Sequence, residues 1–500
     1  MRQTLRRRDS NSDSDCEPDP QPPDSPTIPD FAVQVAAIPG LKGGSKLWFG
    51  KDYCNFIVKD FVNLNEPFVD SVNRNNTPRM PWHDLSCMVT GAAARDVARH
   101  FIERWNFTKF EKAKFNDKFP WLLPKCYDRV ASVQVPRFFL RSQPVSAQVV
   151  RSVGHWSIGH KSTDTSILTA HIDLINSAKH YIYMENQFFI TQTQSAPLDP
   201  SAQVLNHIGD AIYHRIIRAF RDGETFRVFV FFPLLPAFAG EIGTNSGTSM
   251  QAITHYNYAT ICRGEQSLIN RLRREVGDPF NYIQFYGLRN YGQLHGKLAT
   301  ELIYVHSKLL LVDDNKVLIG SCNINDRSML GSRDSEVAVV LHDRQFEAQA
   351  VMNGQPYAKC GRFCGSLRRH LFREHLGLLG PSDRGSQHLQ ASPALPDIDI
   401  RDPIGDHFYK DVWMATAARN ADIYERVFPV VPTDQVRTFA QLKDYLTRPK
   451  LVHTDPQEAQ RQLDRVRGHL VLMPLNFLED EELTPQWGTG EKLMPNSLWT

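Results

Sequence analysis

Between residues 146 and 342 the chain alternates helical periodicity with short apolar runs, and that alternation leaves few folds open. Ile208, Ala211, Ile212, Ile216, Ala219 and Phe220 recur at helical spacing and stop at Gly223, and Leu268, Ile269, Leu272 and Val276 do the same up to Gly277. A further helical stretch covers 166–178. Around these lie "YIYMENQFFI", "FRVFVFF" and "YIQFYG", which are too short for helices and rich in aromatic and β-branched residues. The order predicts an α/β fold, a mixed sheet flanked by helices. With 500 residues and 41% hydrophobic content, the chain has material for a real core.

Outside this region the composition changes. Residues 1–45 are dominated by Ser, Asp and Pro, which cannot bury enough apolar surface to offset ordering, so they read as a disordered tail or linker. Folded character begins near 46. A loop-like stretch, "LGPSDRGSQHLQASPALPD", precedes a helical C-terminal extension over 381–500. The net charge of +2 gives no bulk attraction to nucleic acid, so none is expected as a partner. The eight cysteines show no paired zinc-type spacing and are too sparse for a disulfide scaffold, which points to a reducing compartment. No run approaches the roughly 18 apolar residues of a membrane span. The expectation is a cytoplasmic protein with at most peripheral membrane contact.

One stretch carries chemistry: "HSKLLLVDDNKVLIGSCN", His306 to Asn323. It reads as two antiparallel strands, 305–312 and 317–323, joined by a tight turn at Asp314-Asn315. In that register His306 faces Asn323 and Lys308 faces Ser321, all on one side, because side chains alternate along a strand. A solvated sheet surface would not sit among so many Val, Leu and Ile residues. The four groups suit phosphoryl transfer without a metal or other cofactor. Lys308 supplies charge, Ser321 and Asn323 donate hydrogen bonds, and His306 attacks phosphorus or moves a proton. Asp313 falls on the other face and is expected to bond backbone groups of the turn. Glu336, ahead of the next apolar run, is a carboxylate able to fix a histidine tautomer.

Written with gaps, H-x-K-x(4)-D-x(6)-G-S-x-N resembles the signature of the phospholipase D superfamily. With "TPRMPWHD", "ARDVARHFIERWNFTK", "YIYMENQFF", "CRGE" and "NINDRSMLGSRDSE", the chain from about Lys46 to Thr500 is similar to eukaryotic phosphatidylcholine-hydrolysing phospholipases D of the PX and PH type. In that family two such motifs on two lobes form one site. The resemblance implies that the stretch here is the second motif, with His306 as acid and base, Lys308 and Asn323 on phosphate, Glu336 orienting histidine, and Ser321 and Asp313 completing the catalytic set. It also implies an inter-lobe region over 46–145 and a C-terminal catalytic lobe over 146–380.

The only other H-x-K, His295-Gly296-Lys297, has Leu302 where the motif needs Asp. The chain is therefore expected to be the C-terminal half of such an enzyme, needing an N-terminal lobe, or a second copy of itself, to complete the site. The expected reaction is hydrolysis of phosphatidylcholine to phosphatidic acid and choline, with primary alcohols able to replace water. The alternatives are a silent fragment that binds anionic membrane or a partner protein, and a homodimeric single-motif phosphodiesterase.

The segment "RHFIERWNFTKFEKAKFNDK" sets Arg99, Arg104, Lys109, Lys112 and Lys114 among aromatics, and by resemblance it would bind phosphoinositide in an anionic membrane. The competing reading is a solvated helix with Arg99 and Glu103 paired four apart. Glu185 and Gln187 stand at a strand end where they could touch the site, but a core strand capped by polar residues is the commoner case, and His83, His155 and His375 read as structural.

Overall fold

The computed structural model describes residues 77–124, 126–128, 142–193, 204–238, 240–379, 398–484 and Thr500. The expected tail over 1–45 and most of the loop before 398 lie outside them.

The strands are β1 (Trp82–His83), β2 (Val145–Val153), β3 (Asp164–Thr165), β4 (Tyr181–Glu185), β5 (Arg227–Phe231), β6 (Ile283–Leu294), β7 (Lys297–Val305), β8 (Leu309–Val312), β9 (Lys316–Gly320) and β10 (Glu336–Asp343). They pair in the order β1-β7-β6-β5-β4-β8-β9-β10-β2-β3. The contacts β4–β5, β5–β6 and β1–β7 are parallel and the others on this path antiparallel, so the sheet is mixed, as expected. A separate ribbon joins β11 (Val351–Met352) to β12 (Gln355–Pro356).

Both faces of the sheet are covered. Along β4, β5 and β8, Ile182, Met184, Val228, Val230, Leu310 and Val312 point into one core, shared with helices α2 (Ser166–Ser177), α3 (Ile208–Asp222), the end of α4 (Thr248–Ile261) and α5 (Leu268–Val276). The alternate residues Tyr181, Tyr183, Phe229, Phe231, Leu309 and Leu311 point into a second, more aromatic core. That core is closed by α6 (Arg362–His375) and by Phe408, Tyr409 and Trp413 of a π-helical stretch running into α7 (Ala415–Val427). Residues 398–484 are more than a helical extension, because β13 (Leu470–Leu472) pairs antiparallel with β6. Gly223 ends α3 in the left-handed conformation with φ of 65°, as the sequence predicts.

One connection shapes everything that follows. Strand β6 pairs with β5 from Ile283 to Tyr286 and with β7 only from Leu288 to Leu294, so the pairing with β7 starts where that with β5 stops. Only residues 306–308 link β7 to β8, and Val305 to Leu309 reach at most about 14 Å. The end of β7 therefore comes close to the end of β4, and Gln187 just beyond β4 donates a hydrogen bond to the Tyr304 hydroxyl of β7 at 2.9 Å. The hairpin tip is His295-Gly296, with φ of 48° and 77°, a two-residue turn of the favoured kind. The second H-x-K is thus turn chemistry.

Candidate active site

The motif departs from the expected register by one residue. Leu309 faces Ile319 and Val312 faces Lys316, leaving three residues, Asp313, Asp314 and Asn315, in the connection. Lys308 therefore meets Gly320, whose N–H donates to the Lys308 carbonyl at 3.2 Å, and not Ser321. The misreading lies in the turn. Asp313 and Asp314 both adopt positive φ, 53° and 51°, because tertiary bonds hold them there. The Asp313 carboxylate accepts from the backbone N–H groups of Lys179, His180 and Tyr181 at 2.8, 2.8 and 2.9 Å. It is structural, but it pins the entrance to β4 and not its own turn, and no contact joins it to His306. Asp314 is buried against Arg368, with bonds of 3.0 and 2.8 Å, and accepts from the Tyr181 hydroxyl at 2.6 Å.

Residues 306–308 are not strand, yet alternation persists along them. His306 and Lys308 share a side, and the Lys308 ammonium donates to the His306 carbonyl and to Gln187 Oε1, the latter at 3.2 Å. Lys308 is only 6% exposed, and burial lowers its pKa to about 8, although Asp84 and Glu336 pull the other way. A cation stripped of water in this way is primed for an anion.

His306 is partly exposed, and its Nδ1 bonds Asp84 Oδ2 at 2.8 Å. Burial opposes the charge on Asp84, but the His306 bond and the Leu85 N–H hold its carboxyl below the usual range. With Nδ1 engaged, Nε2 is the nitrogen left for chemistry. Trp82 packs on the ring with centroids 4.7 Å apart, which limits its tilt.

Asp84 takes the place expected of Glu336. Glu336 instead accepts the hydroxyl proton of Ser321, which in turn accepts from the Val337 N–H at 3.2 Å. Burial raises the Glu336 carboxyl above its ordinary value. Ser321 is thus tied to Glu336 and is not set opposite Lys308. The structure brings together Asp84, His306, Lys308 and Gln187, and separately Ser321 with Glu336. Asn323 makes no side-chain bond to either group, but its Oδ1 is buried without a hydrogen-bond partner among the described residues. A buried orphan acceptor at the end of the motif is the kind of group a ligand satisfies. Sequence reasoning missed Asp84. The one signal for it was the His-Asp pair after "RMPW", visible only as part of a family resemblance.

The Phospholipase D family model matches residues 56–302 and 291–392. The chain belongs to the phospholipase D family of hydrolases. Phospholipase D1 of Homo sapiens is 47% identical over 464 residues, covering 92% of this chain and 41% of that protein. Phospholipase D2 of Bos taurus is 44% identical over 483 residues, 96% of this chain and 48% of the relative. Phospholipase D zeta 2 of Arabidopsis thaliana is 35% identical over 545 residues, with 89% and 50% covered. The chain spans about half the length of the curated relatives it matches.

Beneath the family motif lies a buried network that the sequence did not disclose. Glu185, at the end of β4, accepts from His83 Nε2 at 2.9 Å and from the hydroxyls of Ser307 and Tyr183. The Tyr183 hydroxyl also meets His375 Nε2 at 2.7 Å, and His83 Nδ1 bonds Glu374 Oε1 at 3.2 Å. His83 and His375 are therefore more than isolated core histidines. Burial alone would lower the His83 pKa, but Glu185 and Glu374 outweigh it and push it up to about 11, while His83 and His375 hold the fully buried Glu185 carboxyl well below its usual range. His83, Glu185 and His375 are close enough to hold a metal, with ligand atoms within 4.8 Å of one another. The hydrogen bonds among them and Tyr183 already use those atoms, so the group stands as a proton-sharing network.

The basic helix α1 (Ala92–Lys112) fits neither earlier reading fully. Lys109 is buried, with its ammonium donating to the carbonyls of Ala113 and Asn116 at 3.3 and 3.0 Å, so it closes the helix end and is removed from the lipid-binding set. Glu103 does not pair with Arg99; it takes Arg151 of β2 at 2.7 Å. Arg99 stacks over Tyr127, Arg104 over Trp156, and Lys114 over Phe110 and Phe115. Lys112 and Lys114 are exposed, and beside them Phe115 is 90% exposed.

Proposed function

We propose that this chain supplies one half of a phosphodiesterase site that hydrolyses phosphatidylcholine to phosphatidic acid and choline. The observation that carries the reading is the Asp84–His306 pair beside a lysine kept from water. Lys308, with the Asn323 amide, grips the phosphate. A histidine from a complementary lobe, or from a second copy of the chain, attacks phosphorus, while His306 Nε2 gives its proton to the departing choline oxygen. Water or a primary alcohol then loses its proton to the same nitrogen as it displaces the enzyme from phosphorus. Asp84 keeps Nδ1 protonated and offsets the charge on the imidazolium, which gives its Nε2 proton in the first step and re-forms in the second. Family membership supports the reaction class.

The test is reconstitution. The isolated chain is expected to be inert, and addition of a separately produced lobe carrying the complementary motif should release choline and, with a primary alcohol present, form the phosphatidyl-alcohol. Turnover by the chain alone at a rate second order in its concentration would replace the two-lobe reading with a self-paired site. No turnover in the mixture would favour a silent, membrane-binding chain.

Lys308 gives the site a pH signature. Glycerophosphocholine keeps a single phosphodiester charge across neutral and alkaline pH, so a loss of affinity on the alkaline side comes from the chain and not from the ligand. Below pH 8 Lys308 is charged and binding should be constant; above it the free chain loses the charge, and affinity should decline by up to tenfold per pH unit. Constant affinity to pH 10 would remove Lys308 from the phosphate site.

The exposed face of α1 supports a second contact, with an anionic membrane bearing phosphoinositide. Peripheral attachment fits it, and among the described residues no helix is long and apolar enough to cross a membrane. Charge reversal at Arg99, Arg104, Lys112 and Lys114 should weaken sedimentation with phosphatidylcholine vesicles containing phosphatidylinositol bisphosphate, and the difference should shrink as salt rises. Equal sedimentation of both proteins at low salt would return α1 to a purely structural role.

A further inference from the structure

We infer that Glu185 is a positioning residue for His306, a buried carboxylate that clamps both segments carrying the Asp84–His306 pair. The inference rests on the reading of His306 as the reacting imidazole and adds what holds it in place.

The geometry is a matter of neighbours. Glu185 Oε2 accepts from His83 Nε2 at 2.9 Å and from the Ser307 hydroxyl. His83 precedes Asp84 and Ser307 follows His306, so both inward residues on that oxygen are one peptide away from the two outward residues that bond each other. A main-chain bond from His306 N–H to the His83 carbonyl, 2.8 Å, closes the arrangement. The clamp is needed because β1 has only two residues and lies at the sheet edge, and so short a strand has little stability of its own. What fixes its direction is His83, held by Glu185 on one nitrogen and by Glu374 on the other. Both are charge-assisted bonds, and the one to Glu185 is buried, where such bonds are strongest. Glu185 itself is 0% exposed and lies at the end of a central strand, the stiffest mount available.

The test reads the His306 ring without requiring turnover. In the full chain labelled with ¹⁵N-histidine, the resonances of His306, assigned by their loss in His306→Ala, should show that the neutral form of the ring is a single tautomer protonated at Nδ1, because Asp84 holds that proton. Glu185→Gln should give a mixture of tautomers, and Ser307→Ala, which removes one hydroxyl, should shift the same signals part of the way. In the reconstituted enzyme Glu185→Gln should lower kcat on the order of 10–100-fold with KM nearly unchanged, since a small misplacement of the acid costs rate more than binding. A merely structural role would lower thermal stability yet leave the tautomer fixed in the molecules that remain folded. If Glu185→Gln does not fold, Ser307→Ala carries the test. A single Nδ1-protonated tautomer in every variant that folds would overturn the clamp. Failure of the reading beneath it looks different: His306→Ala would then retain turnover whatever the tautomer shows.

Discussion

Alanine at position 306, in the chain paired with a complementary lobe, is expected to lower turnover of phosphatidylcholine by about 10²–10⁴-fold. The choline oxygen leaves as an alkoxide unless a proton arrives with bond cleavage, and His306 Nε2 is the donor the geometry provides. Binding of the lipid should change little, because Lys308 and its bond to Gln187 do not depend on the imidazole ring. Asp84→Asn should fall between the two, since an amide can still touch Nδ1 but cannot offset an imidazolium charge. Choline release and phosphatidyl-alcohol formation should decline together, as both pass through the same proton. A His306→Ala enzyme that keeps turnover within tenfold of the unmodified pair would show that another group supplies the proton.

The second large effect is on stability. Asp314→Ala should cost about 3–5 kcal/mol, because it strands the fully buried Arg368 guanidinium, whose remaining hydrogen-bond partners among the described residues are the carbonyls of Ile400 and Arg401. Replacing both residues, Asp314→Leu with Arg368→Met, should recover most of the loss, since no charge is then left without its counter-charge. Burial works to raise the Asp314 carboxyl, but Arg368 outweighs it and holds the pKa below the ordinary value. The pair's contribution is therefore fully present above the usual carboxylate range and fades as pH falls through the depressed value. Urea unfolding of the three proteins at neutral and acid pH measures both parts. A single variant within 1 kcal/mol of the parent would remove this pair as an anchor of the motif hairpin.

Much of the fold was legible because it depends on local periodicity. Helix α3 with its Gly223 stop, helix α5, and strands β4, β5 and β6 follow from patterns of apolar residues that need no distant partner to be read. Legibility failed where tertiary bonds override local preference. Asp314-Asn315 has the composition of a two-residue turn, but Asp313 and Asp314 are drawn into left-handed conformations by the amides before β4 and by Arg368, which lengthens the turn and shifts the register. His306 and Lys308 were found from their spacing. Asp84 lies 222 positions from His306, and Glu185 is 122 from Ser307, separations that no window of sequence can join. Lys109 was misjudged for a related reason, since only the fold shows that its ammonium turns back onto the carbonyls of Ala113 and Asn116.

The short link between β7 and β8 has a consequence for how the chain can change length. Residues 306–308 leave almost no slack between the end of β7 and the start of β8, so one residue added ahead of His306 would exchange the directions of His306 and Ser307 and turn the imidazole toward the buried Glu185. The tip at His295-Gly296, at the far end of the same hairpin, is exposed and tied to nothing in the site. Added length there is absorbed by solvent. The same ribbon thus has one end open to elaboration and one end closed to it, and new contacts can be grafted onto the first without disturbing the chemistry held by the second.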